Sequence, residues 1–306
     1  MNKAPSLTAV ALPAAALHRT ARFADYLELT KPGLSLLSVL TALAGYAAAR
    51  PAYGPGRLLA LAAGTALAAG GVAALNQFLE SDTDAQMHRT RQRPIPTGRV
   101  ANGSAYVLGA ALCFAGVALL FARVNGLAAL GTGLTIVTYL FWYTPAKRTS
   151  RWSTEIGAVA GALPPVIGWV ACADRMSGPG WLFFGLLFFW QIPHFLAVAW
   201  RYRHDYAAVH FPLLAVRDPS GRAVAAWSFT ATGLLVGLSL LPVQLGFCTW
   251  AYGTGALVLG AGFLALAAGF LRRTDRQRSA RRLFLGSIAY LPLLLGLLVA
   301  DRLLAR

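Results

Sequence analysis

Three side chains that carry oxygen ligands recur at every fourth position near residue 80. They are Asn76, Glu80 and Asp84. On a helix this spacing spreads them over only about 80° of one face, whereas Asp82 would point elsewhere. A row of amide and carboxylate oxygens suits a hard cation such as Mg²⁺, which takes few protein ligands and prefers phosphate oxygens for the rest. The row therefore predicts a magnesium site.

Three arginines follow this row at once, and they extend the predicted chemistry to phosphate. Arg89, Arg91 and Arg93 alternate along the chain, and guanidinium groups suit bidentate contacts with phosphate oxygens. Carboxylates beside arginines predict a site for a metal-bridged diphosphate. The alternative is that these charges only pair with each other at a helix end. The position of the row at the end of an apolar run favours a functional site, because carboxylates at a membrane are costly and usually functional.

A second polar cluster surrounds the end of another apolar run. His194 lies inside that run, and Asp205 and Tyr206 follow its end. Asp205 either forms a surface ion pair with neighbouring arginines or joins the first row in holding the metal. His194 is either a packing residue, a ligand of heme iron or a hydrogen-bond partner of a substrate carboxylate. A third cluster, at residues 143–155, adds Lys147 and Arg148.

The elements that position these clusters are predicted to be membrane-spanning helices. The chain has 306 residues, of which 57% are hydrophobic and only 12% are charged, with a mean hydropathy of +0.57. Soluble domains carry about 25% charged residues, and about 20 apolar residues cross a bilayer as a helix. The composition therefore predicts an all-α, polytopic membrane bundle of about nine helices. We expect the spans near residues 33–49, 57–79, 101–122, 125–143, 155–173, 179–200, 224–247, 250–271 and 283–300.

The basic residues predict the orientation of the bundle. Of the 27 lysines and arginines, 21 fall on one side of the predicted membrane, in residues 1–32, 80–100, 144–154, 201–223 and 272–282. Cytoplasmic loops are rich in Lys and Arg, so we expect a cytoplasmic N-terminus and a C-terminus outside. All three polar clusters then lie at the cytoplasmic face, and topology explains the net charge of +16 better than nucleic-acid binding does. We expect a tail at residues 1–23 and one membrane domain at 24–306.

An ordered series of motifs gives the chain a resemblance to a known family. Asn76-x-x-x-Glu80-x-x-x-Asp84 resembles the NxxxDxxxD motif of the UbiA family of intramembrane prenyltransferases. Further motifs resemble its protoheme IX farnesyltransferase, or heme O synthase, branch. They are "TKPGL", "DAQMHRTRQRP", "YTPAKR", "AGALPPVIGW", "PHF" and "DYAAVHFPLLAV", and the similarity covers roughly residues 24–300. Glu80 stands where the family usually has Asp, with the same charge and a longer reach.

The resemblance implies a fold, a reaction and roles for individual residues. It implies a UbiA-like helical bundle in the bacterial inner membrane that transfers a farnesyl group from farnesyl diphosphate to the 2-vinyl group of heme B. Heme O and diphosphate are the implied products, and a heme A synthase or an oxidase assembly factor is an implied partner. In this interpretation Asn76, Glu80, Asp84 and Asp205 hold Mg²⁺ and are catalytic, and His194 contacts heme. The diphosphate is contacted by Arg89, Arg93, Lys147, Arg148, Tyr143 and Tyr206.

Three other functions are compatible with parts of this pattern. A UbiA-type enzyme acting on another aromatic acceptor, such as a quinone precursor, would use the same acid row, and the PHF and DYxx segments favour heme over it. A transporter could use the acids as a cation path, but transporter sites usually lie near the membrane midplane, and these acids cluster at one face. A purely structural role in an oxidase complex would leave the acid row unexplained.

Overall fold

The computed structural model describes residues 21–51, 53–272 and 275–304, and every regular element in these ranges is helical. Fifteen α-helices and one π-helical segment follow one another without a β-strand among the described residues, so the predicted fold class is confirmed. In chain order the α-helices are α1 Phe23–Leu29, α2 Pro32–Ala48, α3 Pro55–Leu79, α4 Ser81–Gln86, α5 Asn102–Arg123, α6 Gly126–Val137, α7 Thr144–Thr149, α8 Ser153–Gly161, α9 Leu163–Ala173, α10 Gly178–Arg201, α11 Arg203–Ala208, α12 Leu214–Arg217, α13 Arg222–Gln244, α14 Trp250–Leu271 and α15 Arg276–Leu304; the π-helix covers Thr138–Tyr143, between α6 and α7.

Among the described residues, eight helical segments are long and apolar enough to cross a membrane, and a ninth results if the bent pair α1–α2 is one span. This agrees with the nine predicted spans. The bend between α1 and α2 is 50°, and it falls where Lys31 takes a left-handed backbone conformation and Pro32 opens α2. Proline suits the first helical turn because the amide proton it lacks has no partner there. Of the predicted N-terminal tail, residues 1–20 lie outside the described residues.

Small residues set the distance between the helices that carry the site. A Cβ atom added to Gly168 of α9 would lie 1.7 Å from the carbonyl oxygen of Ala42 in α2, and one added to Gly45 would lie 2.0 Å from the carbonyl oxygen of Pro165. The backbones of α2 and α9 therefore touch, as small residues allow in membrane bundles. The spans α8–α9 and α10 are the most buried, so they form the centre of the bundle.

Several spans break at one end of the bundle, which is the predicted cytoplasmic end. The α3 helix ends before Glu80 and α4 begins after it, α6 gives way to the π-helix, and α10 ends shortly before α11. Side chains at and beside these breaks line a cavity. At the opposite end, polar side chains join the helices instead.

Asp174 is the centre of the ties at the opposite end. It lies between α9 and α10 in a left-handed conformation, with φ of 52°. Its carboxylate accepts hydrogen bonds from Tyr53, from Arg57 at 2.5 Å and from Asn125 at 2.7 Å. The hydrogen bonds from Tyr53 and then Arg57 lower the pKa of Asp174 to about 2. One ionised carboxylate thus joins the segment before α3, the start of α3, the start of α6 and the end of α9.

Candidate active site

A cavity of about 400 Å³ opens among the broken spans, and we call it the main cavity. Its wall is formed by α2, the end of α3, α4, the π-helix, α7, α8 and α10, with α11 and α15 at its margin. Nine of the eleven residues predicted for the site line it, namely Asn76, Glu80, Asp84, Arg89, Arg93, Tyr143, Lys147, His194 and Tyr206. The fold therefore brings together side chains from positions 76 to 206.

The acid row keeps its helical spacing across the break at Glu80. The amide of Glu80 donates to the carbonyl of Asn76, and the amide of Asp84 donates to the carbonyl of Glu80. The hydroxyl of Thr83 also donates to the Glu80 carbonyl, at 3.0 Å. Backbone hydrogen bonds four residues apart thus continue through the break, so the three side chains reach the same cavity.

Each carboxylate of the row is buried beside a cation. Lys147 Nζ lies 2.7 Å from Glu80 Oε1, and Arg93 Nη1 lies 2.6 Å from Asp84 Oδ2. The amide of Asn76 donates to Thr144 Oγ1 at 3.3 Å. Buried charges require partners of this kind, because an unpaired charge away from water is very costly.

Asp84 retains an unused ligand atom. The residue is fully buried, and its Oδ1 has no hydrogen-bond partner among the described residues. Such an atom in a cavity wall, next to an amide and a second carboxylate, fits the oxygen donor set that Mg²⁺ prefers. In the described part of the chain, no three carboxylate, histidine or cysteine side chains converge on one point. A cation here would thus draw on few protein ligands and leave room for other oxygens.

A π-helix positions the basic residue Lys147 in the wall of the main cavity. Tyr139, Tyr143 and Lys147 all line the main cavity, and the amide and hydroxyl of Thr144 both donate to the carbonyl of Tyr139. Pro145 follows and has no amide proton to continue the α-helical pattern. The ammonium of Lys147 lies 4.5 Å from the ring centre of Tyr143. The wider turn therefore places a lysine and two aromatic rings along one wall, as π-helical turns often do at functional sites.

Arg89, from the segment after α4, and Tyr206, from helix α11, meet in the wall of the main cavity. Arg89 donates to the hydroxyl of Tyr206 at 3.4 Å, and its guanidinium lies 5.3 Å from the ring centre of Tyr202. The segment after α4 and helix α11 are thereby held together. Two hydrogen-bonding groups that the sequence placed 117 residues apart thus face one opening.

Arg148 and Asp205 do not line the main cavity. Arg148 forms a bidentate pair with Asp82, at 2.7 and 2.9 Å, on the outer surface of the bundle. Hydrogen bonding to Arg148 lowers the pKa of Asp82. Asp82 thus points away from the row, as predicted. Asp205 forms no ion pair in the part of the chain that the structure describes. The diphosphate role of Arg148 and the metal role of Asp205 stay predictions.

Lys31 is a cavity residue that the reasoning from charge clusters missed. It lies between α1 and α2, and the charged groups that act on it are Arg93, Lys147, Glu80 and Asp84. Across the described ranges its ammonium has no hydrogen-bond or ion-pair partner. The signal was present in the TKPGL motif, but a single lysine at the start of a span gives no sign that it faces residues 49 to 116 positions away.

A second, smaller cavity of about 160 Å³ adjoins the main cavity, and we call it the side cavity. The two share Lys31, Leu34, Ser38, Tyr139, Gly161 and Pro164 along their walls. Beyond the shared wall, the side cavity runs between α2, α3 and α6 and is lined mainly by small and aliphatic residues such as Ala68, Val72 and Ile136. An apolar slot therefore begins where the charged groups end.

His194 faces the main cavity from the α10 wall. Its ring stacks on Trp190, with ring centres 5.1 Å apart, and Phe284 of α15 lies 5.1 Å away. Its Nδ1 is 2.7 Å from the hydroxyl oxygen of Ser287. Ser287 is a further residue that the sequence did not reveal, because a serine in an apolar helix is ordinary. The cavity thus has a charged wall on α3, α4 and α7 and an aromatic wall on α10.

Comparison with known proteins reveals close sequence relatives. Residues 38–288 match the model of the UbiA prenyltransferase family. The chain is 62% identical over 283 residues to the protoheme IX farnesyltransferase of Opitutus terrae, covering 92% of this chain and 96% of the relative. It is 41% identical to the protoheme IX farnesyltransferase of Solibacter usitatus, covering 91% and 98% of the two chains.

Solved structures share the fold at low sequence identity. A digeranylgeranylglyceryl phosphate synthase matches with a TM-score of 0.77 at 15% identity, covering 91% of this chain and 98% of the other. A UbiA homolog from Archaeoglobus fulgidus bound to GPP and Mg²⁺ matches with a TM-score of 0.65 at 13% identity, covering 90% and 99%. At these identities the likeness shows the fold.

Proposed function

Because the chain belongs to the UbiA prenyltransferase family, we propose that it transfers a farnesyl group from farnesyl diphosphate to the 2-vinyl group of protoheme IX. The products are heme O and diphosphate. Relatives named protoheme IX farnesyltransferase, at 62% and 41% identity over nearly their whole length, support the choice of donor and acceptor. The chain is an integral membrane enzyme, and its acid row, basic wall and apolar slot suit this reaction.

One observation carries the proposal. The buried row of Asn76, Glu80 and Asp84 shares a cavity with Arg93 and Lys147, and that cavity adjoins an apolar slot. A prenyl diphosphate has the same division, with a highly charged head and a hydrocarbon tail. The head would lie against the charged wall, and the tail would extend into the side cavity.

Asn76, Glu80 and Asp84 would hold Mg²⁺, and the unpaired Oδ1 of Asp84 supports this. The metal would neutralise charge on the diphosphate and make it a better leaving group. A related fold has been described with GPP and Mg²⁺ bound. Glu80 pairs with Lys147 and Asp84 with Arg93, and these ion pairs would hold both carboxylates in the cavity wall when no substrate is present.

The basic residues stabilise the leaving group. As the C–O bond between farnesyl C1 and the diphosphate breaks, the electron pair leaves with the diphosphate oxygen. Lys31, Arg89, Arg93 and Lys147 line the cavity where this charge develops, and fixed cations stabilise developing charge at little reorganisation cost. Tyr143 and Tyr206 line the same cavity, and their hydroxyls would donate hydrogen bonds to the same oxygens.

The apolar parts of the two cavities protect the farnesyl cation from water. An allylic cation reacts with any water it meets, so transfer needs a dry site. The heme vinyl group attacks C1 of the cation, and its terminal carbon forms the new C–C bond. A water molecule then adds to the remaining vinyl carbon and loses a proton, which gives the hydroxyethylfarnesyl group.

The aromatic wall is the proposed acceptor site. Trp190, His194 and Phe195 of α10 line the main cavity together with Leu291 of α15. Flat aromatic and aliphatic surfaces suit a porphyrin, and His194 provides a polar contact. This wall and the acid row line the same cavity, so donor and acceptor would meet within it.

The orientation in the membrane is also a proposal. The excess of basic residues in residues 80–100 and 144–154 supports a cytoplasmic acid row. The soluble diphosphate product would then leave into the cytoplasm. A partner that oxidises heme O further, such as a heme A synthase, fits a product that stays in the membrane.

An acceptor competition tests the proposed function. The purified protein in lipid vesicles is supplied with radiolabelled farnesyl diphosphate, Mg²⁺ and equal amounts of heme B and a hydroxybenzoate quinone precursor. We expect label in heme alone. Label in the aromatic acid instead would keep the prenyltransferase chemistry and reject heme as the acceptor.

A further inference from the structure

We propose that Ser287 is a positioning residue, which holds His194 in the one tautomer that presents an unprotonated Nε2 to the heme iron. The inference deepens the proposed function and depends on heme being the acceptor. It concerns three side chains, His194 and Trp190 on α10 and Ser287 on α15.

The three side chains form a chain of hydrogen bonds between α10 and α15. Nδ1 of His194 lies 2.7 Å from Oγ of Ser287. The hydroxyl of Ser287 donates in turn to the carbonyl of Phe284, at 2.6 Å and three residues earlier. The indole Nε1 of Trp190 donates to the backbone carbonyl of Ser287 at 2.8 Å. Ser287 is fully buried, so water does not compete for these contacts.

Proton counting selects one tautomer of His194. A serine hydroxyl has one proton to donate and can accept through its lone pairs. If that proton lies between Ser287 and the Phe284 carbonyl, the contact with His194 needs the proton on Nδ1. In the other tautomer the serine proton would turn to Nδ1, and two oxygens would face each other at 2.6 Å with no proton between them. The Nδ1–H tautomer satisfies every contact, and a neutral ring in that form has a lone pair on Nε2.

The remaining ring nitrogen is open. Nε2 of His194 has no hydrogen-bond partner within the described ranges. It is also not one of the buried polar atoms that are left without a partner. It therefore has accessible surface, and His194 lines the main cavity. Stacking on Trp190 and the nearby Phe284 ring restrict rotation of the imidazole. A neutral imidazole held through one nitrogen, with accessible surface on the other, is the arrangement that metal-binding histidines use.

The test compares the affinity for heme B with that for protoporphyrin IX, which lacks iron. The proteins are the wild type, Ser287→Ala and Ser287→Thr, purified in detergent. We expect Ser287→Ala to bind heme B about 10- to 100-fold more weakly, the usual cost of losing a residue that orients a metal ligand. Binding of protoporphyrin IX stays unchanged, because no iron is ligated. Ser287→Thr keeps a hydroxyl and restores both the affinity and the absorption band of histidine-ligated heme.

Ser239→Ala is the matched control. Ser239 is equally buried in a membrane helix, donates to a carbonyl three residues earlier and accepts a hydrogen bond at its backbone carbonyl from an aromatic side chain, Tyr252. It does not line the main cavity. We expect this variant to bind both porphyrins as the wild type does.

Two outcomes overturn the proposal. In the first, Ser287→Ala keeps wild-type heme affinity and the wild-type absorption band. In the second, it loses affinity for both porphyrins equally, which indicates a steric role. Conversion of heme B by the wild type is measured alongside, and its failure counts against the proposed function itself. If the wild type converts heme B but Ser287→Ala keeps wild-type heme affinity and absorption, only the positioning role of Ser287 is rejected.

Discussion

At the level of single residues, the structure separates two aspartates that lie only two positions apart in the sequence. Asp84 is fully buried in the cavity wall with an unused oxygen. Asp82 is on the outer surface, where it pairs with Arg148. Their different surroundings follow from the helical spacing alone, and they allow a controlled test of the metal site.

We predict that Asp84→Asn lowers the rate of farnesyl transfer by about 100-fold or more, the usual scale for removing one group that stabilises transition-state charge. It removes a charge next to the proposed metal while keeping the side-chain size. The Mg²⁺ concentration for half-maximal activity should rise as well. Both are measured with purified protein in vesicles, by the yield of farnesylated heme.

Asp82→Asn is the control for this experiment. It removes an exposed ion pair, which is worth about 0–1 kcal/mol, so we expect nearly wild-type activity. Equal losses in the two variants would show that any charge at this membrane edge matters, and would argue against a specific metal role for Asp84.

Part of the site was predictable because it is local in sequence. Asn76, Glu80 and Asp84 share a helical face, and Arg93 reaches Asp84 from nine residues away. Lys31 and Ser287 were not predictable from spacing, since their partners lie on other helices and neither residue type is unusual in its place. The outward position of Arg148 also could not be predicted from its charge. Only the fold shows that Arg148 pairs with Asp82 on the surface and does not line the cavity.

At the level of helices, the site depends on how closely α2 approaches α9. Helix α2 contributes Leu34 to the walls of both cavities, and α9 contributes Pro164. Gly168 and Ala42 touch at the backbone, so there is no room for a side chain. The positions of the spans were predictable from hydropathy. The π-helix was not predictable, because it lies within a continuous apolar stretch.

We predict that Gly168→Ala lowers the free energy of unfolding by about 1–3 kcal/mol, the usual cost of overpacking. The added Cβ would meet the carbonyl of Ala42, and backbone atoms cannot rotate away as a side chain can. The apparent melting temperature in detergent measures the loss.

Gly262→Ala in α14 is the matched control, since a Cβ there has no atom within 4 Å. Alanine is the better helix former, so this variant should be as stable as the wild type or slightly more stable. A tolerated Gly168→Ala would contradict the close contact between α2 and α9.

At the level of the whole molecule, the two ends of the bundle differ: one carries the main cavity with its charged wall, and the other is held together by hydrogen bonds to Asp174. The main cavity lies at the end with the broken spans, and Asp174 joins three helical segments at the far end. The asymmetry suits an enzyme that releases a charged product on one side only.

The hydrogen bonds that Asp174 accepts predict that the stability of the protein depends on pH. The pKa of Asp174 is lowered to about 2, below its usual value near 3.9. A carboxylate with a lowered pKa stabilises the fold above its unfolded pKa, and this contribution is lost as the pH falls toward the folded value. Asp174→Asn keeps the left-handed backbone conformation, which asparagine tolerates. We expect it to lower the melting temperature at pH 6 and to lose that effect as the pH falls from about 4 toward 2.

Asp275→Asn is the control, because Asp275 also has a left-handed backbone conformation, with φ of 48°. Its ion pair with Arg278 is exposed, so its removal should change the melting temperature little at either pH. A melting temperature for Asp174→Asn that follows that of the wild type at pH 6 would argue against the tie.

The most direct test of the central claim is mass spectrometry of the hemes formed in vesicles that contain this protein, heme B and farnesyl diphosphate. We predict a new heme whose mass equals heme B plus one farnesyl group and one hydroxyl. It should form with Mg²⁺ and be absent with EDTA. Unchanged heme B in the presence of Mg²⁺, under conditions where the Opitutus terrae relative converts it, would contradict the account.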